Sequence, residues 1–137
     1  MKITYASQED LKNLISFFEN HIKKADFSEY YYEYFCPYGL KAAIKRGQVI
    51  ILKLDDNIMG AIRFYPRKKE NHVSLYQFAL SEQVRGKGIL EKMLKFTGYS
   101  YFGFKATTDL ELNSYFQKQK WELSKIEEKF NYWKIKI

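Results

Sequence analysis

The chain has 137 residues, which suits one domain over residues 1–137, and 46% of them are hydrophobic, enough for a buried core. The net charge of +7 favours an anionic ligand or partner, so nucleic acid stays open as a partner. The single cysteine, Cys36, excludes a disulfide framework, and no apolar run approaches the ~20 residues of a membrane-spanning helix. With no signal peptide visible after Met1, we expect a cytoplasmic protein that does not contact a membrane.

The N-terminal segment is predicted to be a short strand followed by an amphipathic helix. The strand covers Lys2 to Ala6, and Ser7 begins the helix. Asp10 stands three residues after Ser7, the spacing of a capping box. Apolar residues then recur at helical spacing, at Leu11, Leu14, Ile15, Phe18 and Ile22. One face of this helix is therefore expected to pack on a core.

A second helical region and a β-hairpin are predicted next. The helical region runs from about Ser28 to Arg46 and is broken at Pro37 and Gly39. Val49 to Leu54 is rich in β-branched residues and predicts a strand. Residues 55–57 have turn chemistry, and Ile58 to Tyr65 form the returning strand of the hairpin.

A glycine loop lies between the next predicted strand and helix. The strand runs from His72 to Leu80, the loop covers residues 83–88 (Gln-Val-Arg-Gly-Lys-Gly), and the helix runs from Gly88 to Phe96. The first N–H groups of a helix have no partner inside it and carry partial positive charge. Glycines let a phosphate approach these groups closely, and Arg85 and Lys87 add formal charge. The loop is therefore expected to bind a phosphate or pyrophosphate.

Two well-known phosphate-binding loops do not fit these residues. A dinucleotide fingerprint requires a third glycine, but Glu91 stands three residues after Gly88. A P-loop requires lysine and then serine or threonine after its last glycine, but Ile89 follows here. The pattern that remains is Gln-x-x-Gly-x-Gly between a strand and a helix.

The C-terminal third is predicted to add three strands and one helix. Tyr99 to Ala106 alternates aromatic and small residues, as a strand does. A helix capped by residue 107, 108 or 109 runs to about Lys118. Trp121 to Glu127 and Lys129 to Ile137 are predicted to be a final pair of strands. The complete order of elements indicates an α/β arrangement with a mixed sheet.

The glycine loop resembles the acetyl-CoA pyrophosphate loop of the GNAT superfamily of N-acetyltransferases, which is written Gln/Arg-x-x-Gly-x-Gly/Ala. The order of the predicted elements is similar to the GNAT fold over almost the whole chain. The resemblance implies an α/β fold with a mixed, mostly antiparallel sheet of about seven strands, flanked by about four helices. It also implies acetyl-CoA as a co-substrate and direct transfer of the acetyl group to a primary amine.

The same resemblance assigns the cofactor contacts. The backbone of Leu80 would bond the pantetheine arm of acetyl-CoA, and the amide of Phe78 would point at the thioester oxygen. The pyrophosphate would lie against the loop and the start of its helix, at Arg85, Gly86, Lys87, Gly88, Ile89 and Leu90. Leu90 departs from the family, in which a small residue is common there, so it either pushes the helix outward or faces the core.

Proton transfer is the part of the resemblance that fits least. Histone-acetylating relatives place a glutamate base near the position of Ser74, and many relatives have a tyrosine at the position of Phe116. Tyr115, one residue earlier, is the predicted proton donor to the leaving thiolate. Tyr76 is the competing candidate, because it lies two residues before Phe78 and should share its face of the strand.

The acceptor amine is not identified by these residues. The aromatic segment at residues 30–35, with Glu29 and Glu33, would either line an acceptor site or cover the sheet. A small molecule, a protein lysine or N-terminus, and an aminoacyl-tRNA all stay open as acceptors. His21 and His72 have no partner at metal-ligand spacing, so no metal site is predicted.

Two functions are consistent with the sequence. The preferred one is an N-acetyltransferase that passes the acetyl group of acetyl-CoA to a primary amine by direct attack. The alternative is a GNAT-fold binding module, catalytically weak or inert, that acts through protein or nucleic-acid contacts. The absent glutamate and the shifted tyrosine favour the alternative.

Overall fold

A computed structural model describes residues 1–22, 36–67, 72–107 and 112–137. Seven strands lie within these ranges: Lys2–Tyr5 (β1), Val49–Leu54 (β2), Asn57–Pro66 (β3), Val73–Leu80 (β4), Tyr101–Thr107 (β5), Glu122–Ile126 (β6) and Phe130–Lys136 (β7). They form one sheet in the order β1-β2-β3-β4-β5-β7-β6. Five of its six pairings are antiparallel, and the pairing of β4 with β5 is parallel. The predicted mixed, mostly antiparallel sheet is confirmed.

Four α-helices accompany the sheet in the described ranges: Leu11–His21 (α1), Pro37–Lys45 (α2), Ile89–Phe96 (α3) and Leu112–Lys118 (α4). Pro37 begins α2, because the first helical position does not need the N–H that proline lacks. The predicted break at Gly39 is wrong, since α2 continues through this residue and its helical bonds outweigh the low helix propensity of glycine. The part of the predicted helical region before Cys36 lies outside the described residues. No helix within the described ranges combines the length and apolar character needed to cross a bilayer.

The helices pack on the two faces of the sheet. On one face α3 and α4 cover a core cluster that contains Met93, Leu94 and Phe116. On the other face α1 and α2 cover a second cluster that contains Phe18 and Ile44. Because strand side chains alternate between faces, β2 contributes Ile50 and Leu52 to the first cluster and Val49 and Ile51 to the second. A strand buried on both faces explains the uninterrupted apolar run in its sequence.

A β-bulge interrupts the alternation in β4. Arg63 of β3 pairs with Gln77, and Phe64 pairs with Leu75, so Tyr76 is the extra residue. Leu75 and Phe78 consequently both pack on the α3/α4 face, although three positions separate them. Tyr76 instead packs against Arg63, on the opposite face. The expectation that Tyr76 shares the face of Phe78 is therefore wrong, because the bulge shifts the period of two by one residue.

The parallel pairing of β4 with β5 is short. Of the described residues in these strands, only Val73 to Leu75 pair with Phe102 to Phe104. From the bulge at Tyr76 to Leu80, β4 continues to pair with β3 but no longer with β5. The two strands therefore leave a gap in the sheet that opens toward the glycine loop.

The start of α1 is held by a buried carboxylate. The Ser7 amide donates to Asp10 Oδ2 at 2.8 Å, which confirms this half of the predicted capping box, and Lys53 Nζ lies 2.7 Å from Asp10 Oδ1. Burial opposes ionisation of this carboxyl, but the bonds from Lys53 and Ser7 outweigh it and lower the pKa of Asp10 below its ordinary 3.8. This carboxylate therefore links the β1–α1 connection to β2.

We expect Asp10→Asn to reduce the free energy of unfolding at pH 7 by about 1 kcal/mol, the usual value of a capping contact. Because the folded-state pKa is lowered, the carboxylate stabilises the fold above pH 3.8, and this contribution disappears as the pH falls through the folded-state pKa. Urea titrations from pH 7 to about pH 2 measure the difference from the wild-type protein. The exposed neighbour Glu9 provides the control, Glu9→Gln, which should have little effect. A difference for Asp10→Asn that is independent of pH would contradict the ionic role.

Candidate functional site

The backbone of β4 faces the gap at Phe78 and Leu80. The Ser81 amide donates to the Met59 carbonyl at 2.9 Å, so Ser81 is bonded toward β3. Because bonded residues alternate along an antiparallel ladder, the backbone groups of Leu80 and Phe78 point to the other edge. The Leu80 carbonyl agrees with this direction, since it accepts a bond from Arg85 Nε at 2.9 Å. Two main-chain N–H groups, those of Phe78 and Leu80, are thus directed into the gap.

The glycine loop leads from β4 to the first turn of α3. Gly86 and Gly88 have φ values of 74° and 70°, the left-handed region that favours glycine. A Cβ on either residue would meet no atom within 4 Å, so the space above the loop is open. Gly88 is the N-cap of α3 and supplies no side-chain cap, which leaves the first N–H groups of the helix without a partner inside it. The loop therefore presents free donors at the positive end of a helix.

The two cations of the loop have different environments. Arg85 is exposed, but its Nε is bonded to the Leu80 carbonyl, so the side chain lies back over the end of β4. Lys87 is exposed at the outer side of the loop. The Leu80 carbonyl is therefore occupied by Arg85, whereas the Leu80 N–H is directed into the gap. This geometry is a refinement of the expected backbone contact at Leu80.

The first two residues of α3 are buried. Ile89 and Leu90 are 4% and 3% exposed and belong to the core cluster beneath the helix. Of the two alternatives for Leu90, the structure has the side chain facing the core. Any contact of these residues with a ligand at the loop is consequently made by their N–H groups.

Aromatic side chains fill the α3/α4 side of the gap. The Phe78 ring lies 5.3 Å from Phe104 and 6.1 Å from Phe116, measured between ring centroids. Phe116 is fully buried and also packs against Trp121 at 4.5 Å. The residue at the family's tyrosine position is thus a core residue without a hydroxyl. This aromatic cluster (Phe78, Phe104 and Phe116) separates the gap from the core on that side.

Tyr115 is half-buried beside this aromatic cluster. Its ring lies 5.7 Å from Phe116, and it packs on the same core. Burial of the hydroxyl, and secondly the negative charge of Glu91 in the first turn of α3, raise the pKa of Tyr115 above its ordinary 10.0. The phenol therefore stays protonated at neutral pH, as a proton donor requires. Tyr115 packs against the same core cluster as Met93 and Leu94 of α3.

A buried arginine lies on the opposite face of the gap, and the sequence reasoning missed it. Arg63 donates to the hydroxyl of Tyr65 at 2.6 Å and to Gln77 Oε1 at 3.4 Å, and its guanidinium carbon lies 4.4 Å from the centroid of the Tyr76 ring. These four residues are called the Arg63 cluster below. Its position inside the apolar run Ile58 to Tyr65 could have indicated a functional role, because arginine is rarely fully buried without a partner.

The remaining predicted residues contribute less to the site. Ser74 accepts a bond from Arg67 Nε at 2.9 Å and has no basic group of its own. His21 stacks on Phe17 at 4.2 Å, in a structural position. His72 is half-buried beside Gly103. The aromatic segment at residues 30–35, with Glu29 and Glu33, lies outside the described residues.

Comparisons with known proteins agree with this geometry. Residues 9–97 match the model of the "Acetyltransferase (GNAT) family". A PaiA N-acetyltransferase from Thermoplasma acidophilum, solved with coenzyme A, superposes with a TM-score of 0.72 at 16% identity, covering 99% of this chain and 98% of that one. A probable acetyltransferase from Staphylococcus epidermidis superposes with a TM-score of 0.76 at 11% identity, covering 98% of both chains. No curated protein sequence matched. On the family match and the shared fold, the chain belongs to the GNAT acetyltransferase family.

Proposed function

We propose that the protein is an N-acetyltransferase that moves an acetyl group from acetyl-CoA to a primary amine. The observation that supports this most directly is the unpaired edge of β4, with the N–H groups of Phe78 and Leu80 directed into the gap. The glycine loop, at the end of the same strand, supplies donors for a pyrophosphate. A pantetheine arm that pairs with β4 as an added strand would join these two sites.

The proposed chemistry is a direct displacement at the thioester. The neutral amine attacks the carbonyl carbon, a C–N bond forms, and the C–S bond breaks to release the thiolate of CoA. The Phe78 N–H would stabilise the oxyanion that develops in this step. Tyr115 would donate its proton to the thiolate, and the proton lost by the amine would go to solvent, because Ser74 is not a base near neutral pH.

The names of the solved neighbours leave the acceptor open. One neighbour is an aminoglycoside 6'-acetyltransferase, with a TM-score of 0.70, and another is an N-acetylglutamate synthase from Neisseria gonorrhoeae, with a TM-score of 0.63. This chain covers only 34% of the latter. A small amine, a protein lysine or N-terminus, and an aminoacyl-tRNA all remain candidates at this stage, and a cytoplasmic location stays a prediction.

The alternative, a binding module with little or no catalysis, is favoured by two observations. Ser74 occupies the expected base position, and the residue at the family's tyrosine position, Phe116, is buried in the core. Such a module would retain binding at the glycine loop and lack transfer. Turnover of acetyl-CoA with a panel of amines distinguishes the two functions.

CoA binding is predicted to depend on Gly86. Saturating CoA should raise the Tm of the wild-type protein, with a stabilisation of about 2.7 kcal/mol at a hundredfold excess over its Kd. Gly86→Asp should abolish this shift, because it places a carboxylate where the phosphate would lie. Thermal unfolding with and without CoA measures the effect.

Gly47 provides the matched control for this change. It also has a positive φ, 71°, and open space around its Cβ position, but it follows α2, away from the loop. Gly47→Asp and Gly86→Asp should each lose about 1 kcal/mol from backbone strain, while only Gly86→Asp loses the CoA shift. A CoA shift that survives in Gly86→Asp would contradict the cofactor site.

Tyr115→Phe is expected to slow acetyl transfer at least tenfold while leaving the affinity for acetyl-CoA nearly unchanged. The substitution keeps the ring that packs on the core and removes only the hydroxyl, and a general acid typically contributes ~10²–10⁴-fold. Steady-state rates with acetyl-CoA and an accepted amine provide the measurement.

Two further variants assign the proton donor. Tyr101→Phe removes a hydroxyl from an exposed tyrosine at the start of β5 and should keep the wild-type rate. Tyr76→Phe tests the competing residue, which lies on the other face of β4. If Tyr76→Phe is slow and Tyr115→Phe is not, the proton donor is on the strand.

A further inference from the structure

The Arg63 cluster contains more buried hydrogen-bond donors than acceptors. Arg63 is 5% exposed and Gln77 is 1% exposed. Arg63 Nε and Gln77 Nε2 are both buried without a hydrogen-bond partner, although Gln77 Oε1 and the Tyr65 hydroxyl each accept one bond from the guanidinium. Leaving such donors unpaired inside a protein is costly, so the cluster requires an acceptor that the described residues do not supply.

The described residues also leave the positive charge of the cluster without a counter-ion. Across residues 1–22, 36–67, 72–107 and 112–137, no carboxylate lies within ion-pair distance of the Arg63 guanidinium. Among the described residues, the guanidinium carbon lies 4.4 Å from the centroid of the Tyr76 ring and 5.6 Å from that of the Tyr65 ring. A buried charge without a counter-ion is strongly unfavourable, which indicates that an anion belongs beside Arg63.

The first turn of α2 adds a second source of positive potential. Arg63 Nη2 lies 3.5 Å from the position that a Cβ on Gly39, the third residue of α2, would take. Cys36 at the N-cap makes no side-chain hydrogen bond, so the first N–H groups of this helix are not capped by it. The guanidinium therefore lies beside the positive end of a helix, and both groups favour an anion at this place.

The position of the cluster relates it to the transfer site. Gln77 directly precedes Phe78, whose N–H is directed into the gap between β4 and β5. The aromatic cluster fills the gap on the α3/α4 face, whereas Tyr76 and Gln77 lie on the α1/α2 face because of the bulge. An amine that approaches the thioester from the α1/α2 face consequently passes beside Arg63.

We propose that the Arg63 cluster, together with the first turn of α2, binds a carboxylate of the acceptor, so that the substrate is a small amine that carries a carboxylate a few bonds from its nitrogen. The inference rests on the proposed acetyl transfer and names its acceptor class. A carboxylate is planar and offers two oxygens, which match the planar fork of the guanidinium. The Gln77 amide is a further donor for such an oxygen.

The wild-type protein tests the proposal without any substitution. Initial rates are measured with acetyl-CoA and free α-amino acids, β-alanine and γ-aminobutyrate, each paired with its carboxamide, and with phosphoethanolamine and spermidine. At least one acid should exceed its own carboxamide in kcat/KM by about tenfold or more, the effect of a charge-assisted hydrogen bond. Equal use of acids and carboxamides, or a preference for spermidine, would overturn the proposal. A preference for phosphoethanolamine would replace the carboxylate by a phosphoryl group.

Substitution of Arg63 then tests whether this residue causes the preference for an acid over its carboxamide. In Arg63→Gln the ratio of kcat/KM between an acid and its carboxamide should fall to near one, mainly through KM. The exposed Arg46 gives the matched control, because Arg46→Gln removes the same charge and should keep the ratio. The thermal shift with CoA shows that each variant is folded. Arg63→Lys keeps the positive charge but loses the planar guanidinium, so its ratio of kcat/KM between acid and carboxamide should be intermediate. An unchanged ratio in folded Arg63→Gln contradicts the assignment.

Binding separates this inference from the proposed function. If the protein acetylates none of the amines, the transfer activity fails, and calorimetry still tests the anion site. N-acetyl amino acids, titrated into the wild-type protein saturated with CoA, should bind at least tenfold more tightly than their methylamides, and Arg63→Gln should remove the difference. Equal binding of acids and methylamides, or no binding of either, overturns the carboxylate site.

Discussion

The loss of pairing between β4 and β5 is the constraint on which the candidate site depends. A strand inside a sheet normally has its backbone groups bonded on both edges, and an unpaired buried N–H is unfavourable. Within the described residues, β4 pairs with β5 from Val73 to Leu75, and the bulge at Tyr76 follows directly. The N–H groups of Phe78 and Leu80 are directed into the resulting gap. The site is thus an interruption of the sheet, and the rest of the fold keeps that interruption in place.

The two core clusters hold the interruption rigid. On the α3/α4 face Phe116 contacts Phe78 of β4, Phe104 of β5 and Trp133 of β7, so a single side chain spans the gap. On the α1/α2 face α1 lies against β3 and β4. Because close-packed interiors resist small changes of volume, neither strand can move to close the gap without disrupting this packing. Phe116 contributes a fully buried ring without a hydroxyl to this packing, and the proposed proton donor is its neighbour Tyr115.

Positively charged side chains lie at two separate places near the gap, the glycine loop and the Arg63 cluster. The glycine loop combines exposed cations with the N-terminus of α3, and its environment is open to solvent. The Arg63 cluster combines a buried cation with the N-terminus of α2. Electrostatic interactions are much stronger in the second environment, because water screens the first. An open anion site suits a large, multiply charged group, and a buried one suits selection of a small anionic group.

Local sequence patterns determined the elements of this protein and the place of its loop. The β-branched run Val49 to Leu54, the helical spacing after Leu11 and the turn chemistry at residues 55–57 each predict a structure that neighbouring residues suffice to form. Gly86 and Gly88 likewise predict the glycine loop, because the positive φ values that glycine adopts are a local property of the chain. The predicted break at Gly39 is wrong, because glycine lowers the propensity for a helix without preventing one.

Only the tertiary structure decided which faces the functional side chains occupy. The bulge at Tyr76 depends on the pairing of β4 with β3, and a one-residue shift sends Tyr76 to the face opposite Phe78. The Arg63 cluster joins residues 14 positions apart and the first turn of a helix before them, so no local pattern contains it. The sequence predicts Tyr115 as proton donor from its position next to the family's tyrosine, but its raised pKa arises from burial and from the charge of Glu91, which belong to the tertiary structure. Local propensity determines elements, whereas strand register and long-range packing determine where their side chains meet.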